Sequence, residues 1–126
     1  MSYYNPQIPD WNLECIPVER EAKELSQVLL IVITGQTLSV ASMVEASSYI
    51  GCGRKVVLCM EDIPTTGTPL VEGIQLSERA VKDYNRARTY LRAIVANAGT
   101  PLFADITEAT CHACELARDH TPSSIR

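Results

Sequence analysis

The stretch from residue 28 to residue 59 decides the fold; it reads VLLIVI at 28–33, a polar turn, SVASMVEASSYI at 39–50, GCG at 51–53 and RKVVLC at 54–59. The first run is apolar and rich in β-branched residues without alternation, which predicts a strand covered on both faces. Apolar residues then recur at helical spacing from Val40 to Ile50, and Gly51 and Gly53 end that helix. Lys55 to Cys59 predicts a second strand. The stretch is therefore predicted to be a βαβ unit with parallel strands and a right-handed crossover.

The flanking segments continue this alternation of strands and helices. We predict a short strand at Tyr3-Tyr4, a helix from Pro17 to about Ser26, a loop from Glu61 to Gln75, a helix capped by Ser77 and ended by Gly99, a strand at Leu102-Phe103, and a last helix that opens on a capping box of Asp105 and Glu108 and runs to about Arg118. Strands that alternate with helices are typical of the α/β class with a parallel sheet.

Composition narrows the classes of function. The chain has 126 residues, a hydrophobic content of 46% and a net charge of −4, which are ordinary values for one globular domain. The longest apolar run, 28–33, is far too short to span a membrane, and the amino terminus does not resemble a secretory signal, so we expect a cytoplasmic protein. The negative charge argues against a nucleic-acid partner. The odd number of cysteines, five, fits reduced thiols better than a disulfide framework.

The crossover helix carries a motif that suggests a family. The signature of nucleoside 2-deoxyribosyltransferases is a buried strand, a turn, Asp-x-Gly-Thr-x-x-Glu opening a helix, and a Gly-Lys pair before the next strand. Residues 39–45 of this chain read SVASMVE, and Gly53-Arg54 stands at the later position. The chain resembles a eukaryotic-type branch of this family over nearly its whole length, including YYNPQ at 3–7, Asp10-Trp11, Gln36-Thr37, and Arg86 with Tyr90-Leu91-Arg92.

The resemblance implies both a fold and a chemistry. The fold is a flavodoxin-like or Rossmann-like parallel sheet of about four strands flanked by helices. The chemistry places Glu45 as the nucleophile that attacks the anomeric carbon of a 2-deoxynucleoside, so that the base leaves and the sugar passes to another base or to water. The expected partner is therefore a small nucleoside or nucleotide. The side chains that we expect to bind it are Asn5, Gln7, Trp11, Gln36, Ser39, Ser42 and Asp62.

The chain also departs from the family pattern. Ser39 replaces the aspartate of the motif, and Ala41-Ser42 replaces its Gly-Thr pair. The sequence begins at what corresponds to the second strand of the family, so we expect a domain truncated at its amino end. The lost strand would leave the 28–33 strand with an unpaired edge. Because unpaired backbone groups are costly when buried, we expect either a shifted Tyr3-Tyr4 strand or a second copy of the chain to cover it, and we favour a dimer.

Several alternatives remain open. Ser42-x-x-Glu45 has the spacing of a capping box, in which Glu45 would only satisfy helix amides. A second alternative is that the chain is a non-catalytic nucleotide-binding or protein-interaction module on the same fold, which Ser39 in place of the aspartate and the missing first strand favour. Cys111 and Cys114 form a CxxC, but it lies late in a helix and no second pair completes a zinc site. With no phosphate loop and no GxGxxG either, we expect no metal and no cofactor.

Overall fold

The computed structural model describes residues 3–5 and 12–119. The helices in these ranges are α1 (Cys15–Leu25), α2 (Val40–Gly51), α3 (Glu78–Ala98) and α4 (Ile106–Asp119). The strands are β1 (Leu29–Ile33), β2 (Val56–Met60), β3 (Leu70–Val71), β4 (Ile74–Gln75) and β5 (Leu102–Phe103). None of the helices in the described ranges is long and apolar enough to cross a membrane.

Strands β1, β2 and β5 form a parallel sheet in that order, with β2 at its centre. The register of β1 on β2 runs from Leu29 opposite Val56 to Ile33 opposite Met60. Strand β5 pairs with β2 on its other side. Because these parallel strands are connected through helices, the predicted α/β class is confirmed, with three strands in the described part of the sheet.

Helices cover the two faces of this sheet. Helices α2 and α3 pack on one face and share a core with β1 and β2, formed by Leu29, Ile33, Met43, Ala46, Ile50, Val56, Leu58, Met60, Leu91 and Val95. Helix α4 packs on the other face, where Ala109 and Ala113 contact Val57 and Cys59 of the central strand. All five residues of β2 are buried because this strand lies between two neighbours and two helix layers.

The outer strand β1 is less covered than the sequence predicted. Leu29 and Ile33 are buried, but Leu30 and Val32 on the opposite face are 37% and 36% exposed. The reason is that β1 lies at an edge, whereas α4 is centred on β2. The predicted strand at Tyr3-Tyr4 is wrong, since residues 3–5 have no regular structure and Tyr3 is 91% exposed. No described strand therefore pairs with the outer edge of β1.

The 61–75 segment, predicted as a loop, contains a small hairpin made by β3 and β4. Its two turn residues, Glu72 and Gly73, have φ angles of 51° and 79°. Positive φ at both central positions is the requirement of a type I′ turn, which matches the twist of the flanking strands. Two-residue strands carry too little periodicity to be recognised in a sequence.

Both ends of α3 and the start of α4 follow the predicted capping pattern, whereas α1 begins at Cys15, two residues before the predicted start at Pro17. The Ser77 hydroxyl accepts a hydrogen bond from the backbone N–H of Ala80 at 3.1 Å, and α3 ends at Gly99 in the left-handed region, with φ of 70°. The Asp105 carboxylate accepts from the N–H of Glu108 at 3.0 Å and so caps α4. These contacts orient the helices whose amino ends reach the carboxyl edge of the sheet.

Candidate functional site

Glu45 lies in the second turn of α2, on the side that faces α1. Met43, Ala46 and Ile50 bury the core-facing side of α2. A helix turns by 100° per residue, so Glu45 points away from that core and away from α3. Its Oε2 forms an ion pair with Nζ of Lys23 in α1, and the two side chains are 41% and 19% exposed. The structure therefore brings together a predicted nucleophile and a cation that sequence reasoning did not single out.

The capping interpretation of Glu45 is wrong. Helix α2 begins at Val40, and its N-cap residue is Ser39. Ser42 consequently lies inside the first turn and is not the cap of a box that ends at Glu45. Because the Glu45 carboxylate pairs with Lys23 instead of the helix amides, the position of this acid needs another explanation.

Arg54, which precedes β2, forms hydrogen bonds with the carboxyl end of α1. Its Nη2 donates to the carbonyl oxygens of Lys23 at 2.6 Å and of Ser26 at 2.8 Å. The guanidinium also lies 5.5 Å from the centre of the Tyr49 ring, within cation–π range. Helix α1 contributes no buried residue, so these polar contacts replace the apolar packing that usually holds a helix in place. Arg54 stands at the position of the Gly-Lys pair in the motif.

The turn between β1 and α2 contains three linked hydroxyl groups. The Oγ1 atoms of Thr34 and Thr37 are 3.2 Å apart, and Thr37 Oγ1 lies 2.5 Å from Ser39 Oγ. Ser39 has φ of 58°, a left-handed conformation that is uncommon for a residue other than glycine. Its hydroxyl contacts Thr37 and makes no capping bond to α2. Strained residues of this kind often mark functional sites.

The side chain of Arg88 in α3 is completely buried and forms hydrogen bonds with this turn. Its Nη2 donates to the carbonyl oxygens of Thr34 at 3.0 Å and Thr37 at 2.9 Å, and its Nε donates to the carbonyl of Glu61 at 2.8 Å. Burial lowers the pKa of the Arg88 guanidinium below its usual value. One cation thus connects the carboxyl ends of β1 and β2. Sequence reasoning missed it, although Arg88 falls at a core position of the α3 pattern, three residues before buried Leu91.

The carboxyl edge of the sheet gathers only some of the predicted binding residues. Gln36 lies exposed in the turn, next to Gly35, whose N–H donates to Glu61 Oε1 at 3.3 Å. Asp62 follows β2 and pairs with Nη2 of Arg92 at 2.8 Å. Gln36, Ser39 and Asp62 therefore share this edge. Ser42 lies half-buried one turn along α2, Asn5 lies in the exposed segment 3–5, and Gln7 and Trp11 lie outside the described residues.

A shallow groove of about 480 Å³ runs between α2 and α3 on the outer surface. It is lined by Val40, Met43, Val44, Ala80, Asp83, Tyr84 and Ala87. Glu45 does not line it, because the groove follows the side of α2 opposite to α1. Within residues 3–5 and 12–119, no group of three His, Cys, Asp or Glu side chains is arranged to hold a metal ion.

The comparisons with known proteins bear on the segment that carries Glu45. A family model described as Nucleoside 2-deoxyribosyltransferase like matches residues 1–63, which is half of the chain. The chain belongs to this nucleoside 2-deoxyribosyltransferase-like family. The family inferred from the SVASMVE motif is thereby confirmed, with a match that covers residues 1–63. Searches of curated proteins and of solved structures returned no match.

Membership in the nucleoside 2-deoxyribosyltransferase-like family rests on β1, the hydroxyl-bearing turn, α2 and β2, which all lie inside the matched segment. Lys23, which pairs with Glu45, and Arg54, which bonds the Lys23 carbonyl oxygen, lie inside it as well. Arg88 and Arg92 lie beyond it, in the half of the chain that supplies α3 and α4. The candidate site is therefore built from both halves.

Proposed function

We propose that this protein binds a 2-deoxynucleoside and cleaves or transfers its N-glycosidic bond through Glu45. The proposal is supported by the position of Glu45: residues 39–45 resemble the family motif with Glu45 at its glutamate, this stretch lies inside the matched segment, and the half-exposed carboxylate does not serve as a helix cap. A carboxylate held in this way at the surface of a rigid helix is a suitable nucleophile for glycosyl transfer.

The proposed reaction has two steps. One Glu45 oxygen bonds to the anomeric carbon while the bond from that carbon to the base nitrogen breaks, and the base leaves with the electron pair and takes up a proton. A second base, or water, then displaces the carboxylate from the sugar, so that the configuration at the anomeric carbon is retained. Gln36, Ser39 and Asp62 at the sheet edge are proposed to bind the nucleoside, with Asp62 as the acceptor for base N–H groups.

The alternative is a non-catalytic nucleotide-binding or protein-interaction module. Two observations favour it: Lys23 already occupies one oxygen of Glu45, and Ser39 stands where the motif has an aspartate. A carboxylate paired with an ammonium group offers less electron density to an electrophilic carbon than a free one. In this alternative the carboxyl edge would bind a nucleotide without breaking it.

The deciding experiment measures, by chromatography, the rate at which the protein releases the base from each of the four common deoxynucleosides. If the proposal holds, Glu45→Ala lowers the rate by roughly a thousandfold or more, as for other nucleophiles. Glu115→Gln, which alters an exposed acid on α4, is the matched control and should leave the rate unchanged. Absence of base release by wild-type protein, together with saturable nucleoside binding, would favour the alternative.

We further propose a dimer in the cytoplasm. The outer edge of β1 has no partner strand among the described residues, and Leu30 and Val32 are partly exposed beside it, so a second copy would pair its backbone and cover its side chains. The five cysteines are all free thiols, which suits a reducing compartment. Light scattering at micromolar concentration should give twice the mass of one chain; a monomer mass would contradict this part of the proposal.

A further inference from the structure

Lys23, which contacts Glu45, belongs to a helix that is not held in place by buried apolar side chains. Helix α1 buries none of its residues, so hydrophobic packing does not determine where Lys23 stands. Its location is instead defined by Arg54, which donates to the carbonyl oxygens of Lys23 and Ser26. Arg54, the Lys23 backbone, the Lys23 ammonium group and Glu45 thus form a continuous chain of polar contacts.

We propose that Lys23 is a positioning residue that holds Glu45 in the orientation needed for attack, an inference that rests on the proposed function. Only Oε2 of Glu45 is paired with Lys23. Among residues 3–5 and 12–119, Lys23 is the one group recorded on this carboxylate, and the proposal assigns Oε1 to the anomeric carbon. A glutamate on a helix surface samples several rotamers, and a fixed ammonium group selects one of them. Correct orientation of a nucleophile is a large part of its catalytic effect.

A positioning role of Lys23 and a purely structural role predict different effects when its charge is removed. Glu45 is 41% exposed, and partly exposed ion pairs contribute little to folding stability. Loss of the Lys23 charge should therefore have little effect on the unfolding midpoint. It should strongly affect the rate, because the carboxylate would then spend most of its time in unproductive rotamers. A matched pair exists on α3, where Lys82 lies 3.9 Å from Glu78 and both side chains are well exposed.

The first test measures base release by Lys23→Met, Lys23→Arg and, as control, Lys82→Met. Methionine keeps most of the length of the side chain but removes the charge. We expect kcat of Lys23→Met to fall at least tenfold with KM within twofold of wild type, partial recovery in Lys23→Arg, and wild-type kcat in Lys82→Met. Wild-type kcat in Lys23→Met, or an equal loss in Lys82→Met, would overturn the proposal.

The second test does not depend on activity. Three-bond couplings measured by NMR report the rotamer of the Glu45 side chain, and we expect a single rotamer in wild type and averaging in Lys23→Met. Averaging already present in wild type would overturn the positioning role whatever the activity. A single rotamer in wild type without any base release would instead overturn the proposed function and the catalytic consequence of this contact, while supporting the contact itself.

Discussion

Gly35 packs directly against the backbone of Asp62, so that a Cβ added at position 35 would overlap the carbonyl oxygen of Asp62. The same added Cβ would lie 3.3 Å from the carbonyl carbon of Asp62 and 3.6 Å from Cδ of Pro64. The turn after β1 and the chain after β2 are therefore in van der Waals contact at the edge where the nucleoside is proposed to bind. Only glycine permits this approach.

The first prediction follows from this contact. Gly35→Ala should lower the free energy of unfolding by about 1–3 kcal/mol, because one of the two backbone segments must shift. Urea denaturation measures the change. Gly51→Ala is the control, since nothing lies within 4 Å of its added Cβ and alanine is the better helix former. Equal stability of Gly35→Ala and wild type would show that the turn is not packed as described.

The second prediction concerns the buried guanidinium. Arg88→Met removes the donor shared by the carbonyl oxygens of Thr34, Thr37 and Glu61, so these partly buried acceptors lose their partner and the space of a fully buried side chain is refilled by a different shape. We expect a loss of about 3 kcal/mol or more in unfolding free energy. Arg86→Met, at an exposed position on the same helix, should change it by less than about 0.5 kcal/mol. Similar midpoints for the two variants in urea would contradict the described network.

The third prediction concerns alkaline pH. Burial raises the pKa of the Cys59 thiol above its ordinary value of 9.0, and the charges of Glu61 and Asp105 add to the effect. Above that ordinary value the unfolded chain loses the proton before the folded chain does, so stability should decline as the pH rises through the pKa of the folded state. Cys59→Val should lessen this decline, whereas Cys111→Val, at an exposed thiol, should not. Thermal melts between pH 8 and pH 10, roughly the range around a thiol pKa, measure both.

The fourth prediction uses the left-handed backbone of Ser39. Glycine adopts φ of 58° without a penalty, whereas alanine retains the strain, and both replacements lose the hydroxyl contact to Thr37. Ser39→Ala should therefore be less stable than Ser39→Gly by about 1 kcal/mol. The comparison is internally controlled, because both variants lack the hydroxyl. If alanine were the more stable of the two in urea, Ser39 would not have a left-handed backbone.

The parts of the structure that could be predicted are those with long patterns. The βαβ unit of residues 28–59 and the long helix after Ser77 were recognised because periodicity and caps agree over many residues. The strand predicted at Tyr3-Tyr4 was wrong because two β-favouring residues do not indicate a partner strand. Leu30 and Val32 were expected to be covered, but burial depends on the position of a strand in the sheet, which a local pattern does not contain.

The candidate site was only partly predictable for a similar reason. Glu45, Ser39 and Asp62 were identified by a motif or by their place after a strand, which are local features. Lys23 contacts Glu45, which is 22 positions away along the chain, and Arg88 contacts Glu61, Thr37 and Thr34, which are 27, 51 and 54 positions away. Such long-range polar contacts depend on tertiary packing. Arg88 nonetheless had a detectable signal, since a charged residue at a buried helical position must have polar partners.

The absence of buried residues in α1 has a consequence for motion in solution. A segment held by a few polar contacts opens at a much lower free energy than the global unfolding of the domain. Amide hydrogens of α1 should accordingly exchange with solvent far sooner than those of the fully buried strand β2. Because the ion pair to Glu45 is weakened by salt, higher ionic strength should accelerate this exchange. Each opening of α1 would also separate Lys23 from Glu45, so the orientation of this carboxylate should become less fixed as the salt concentration rises.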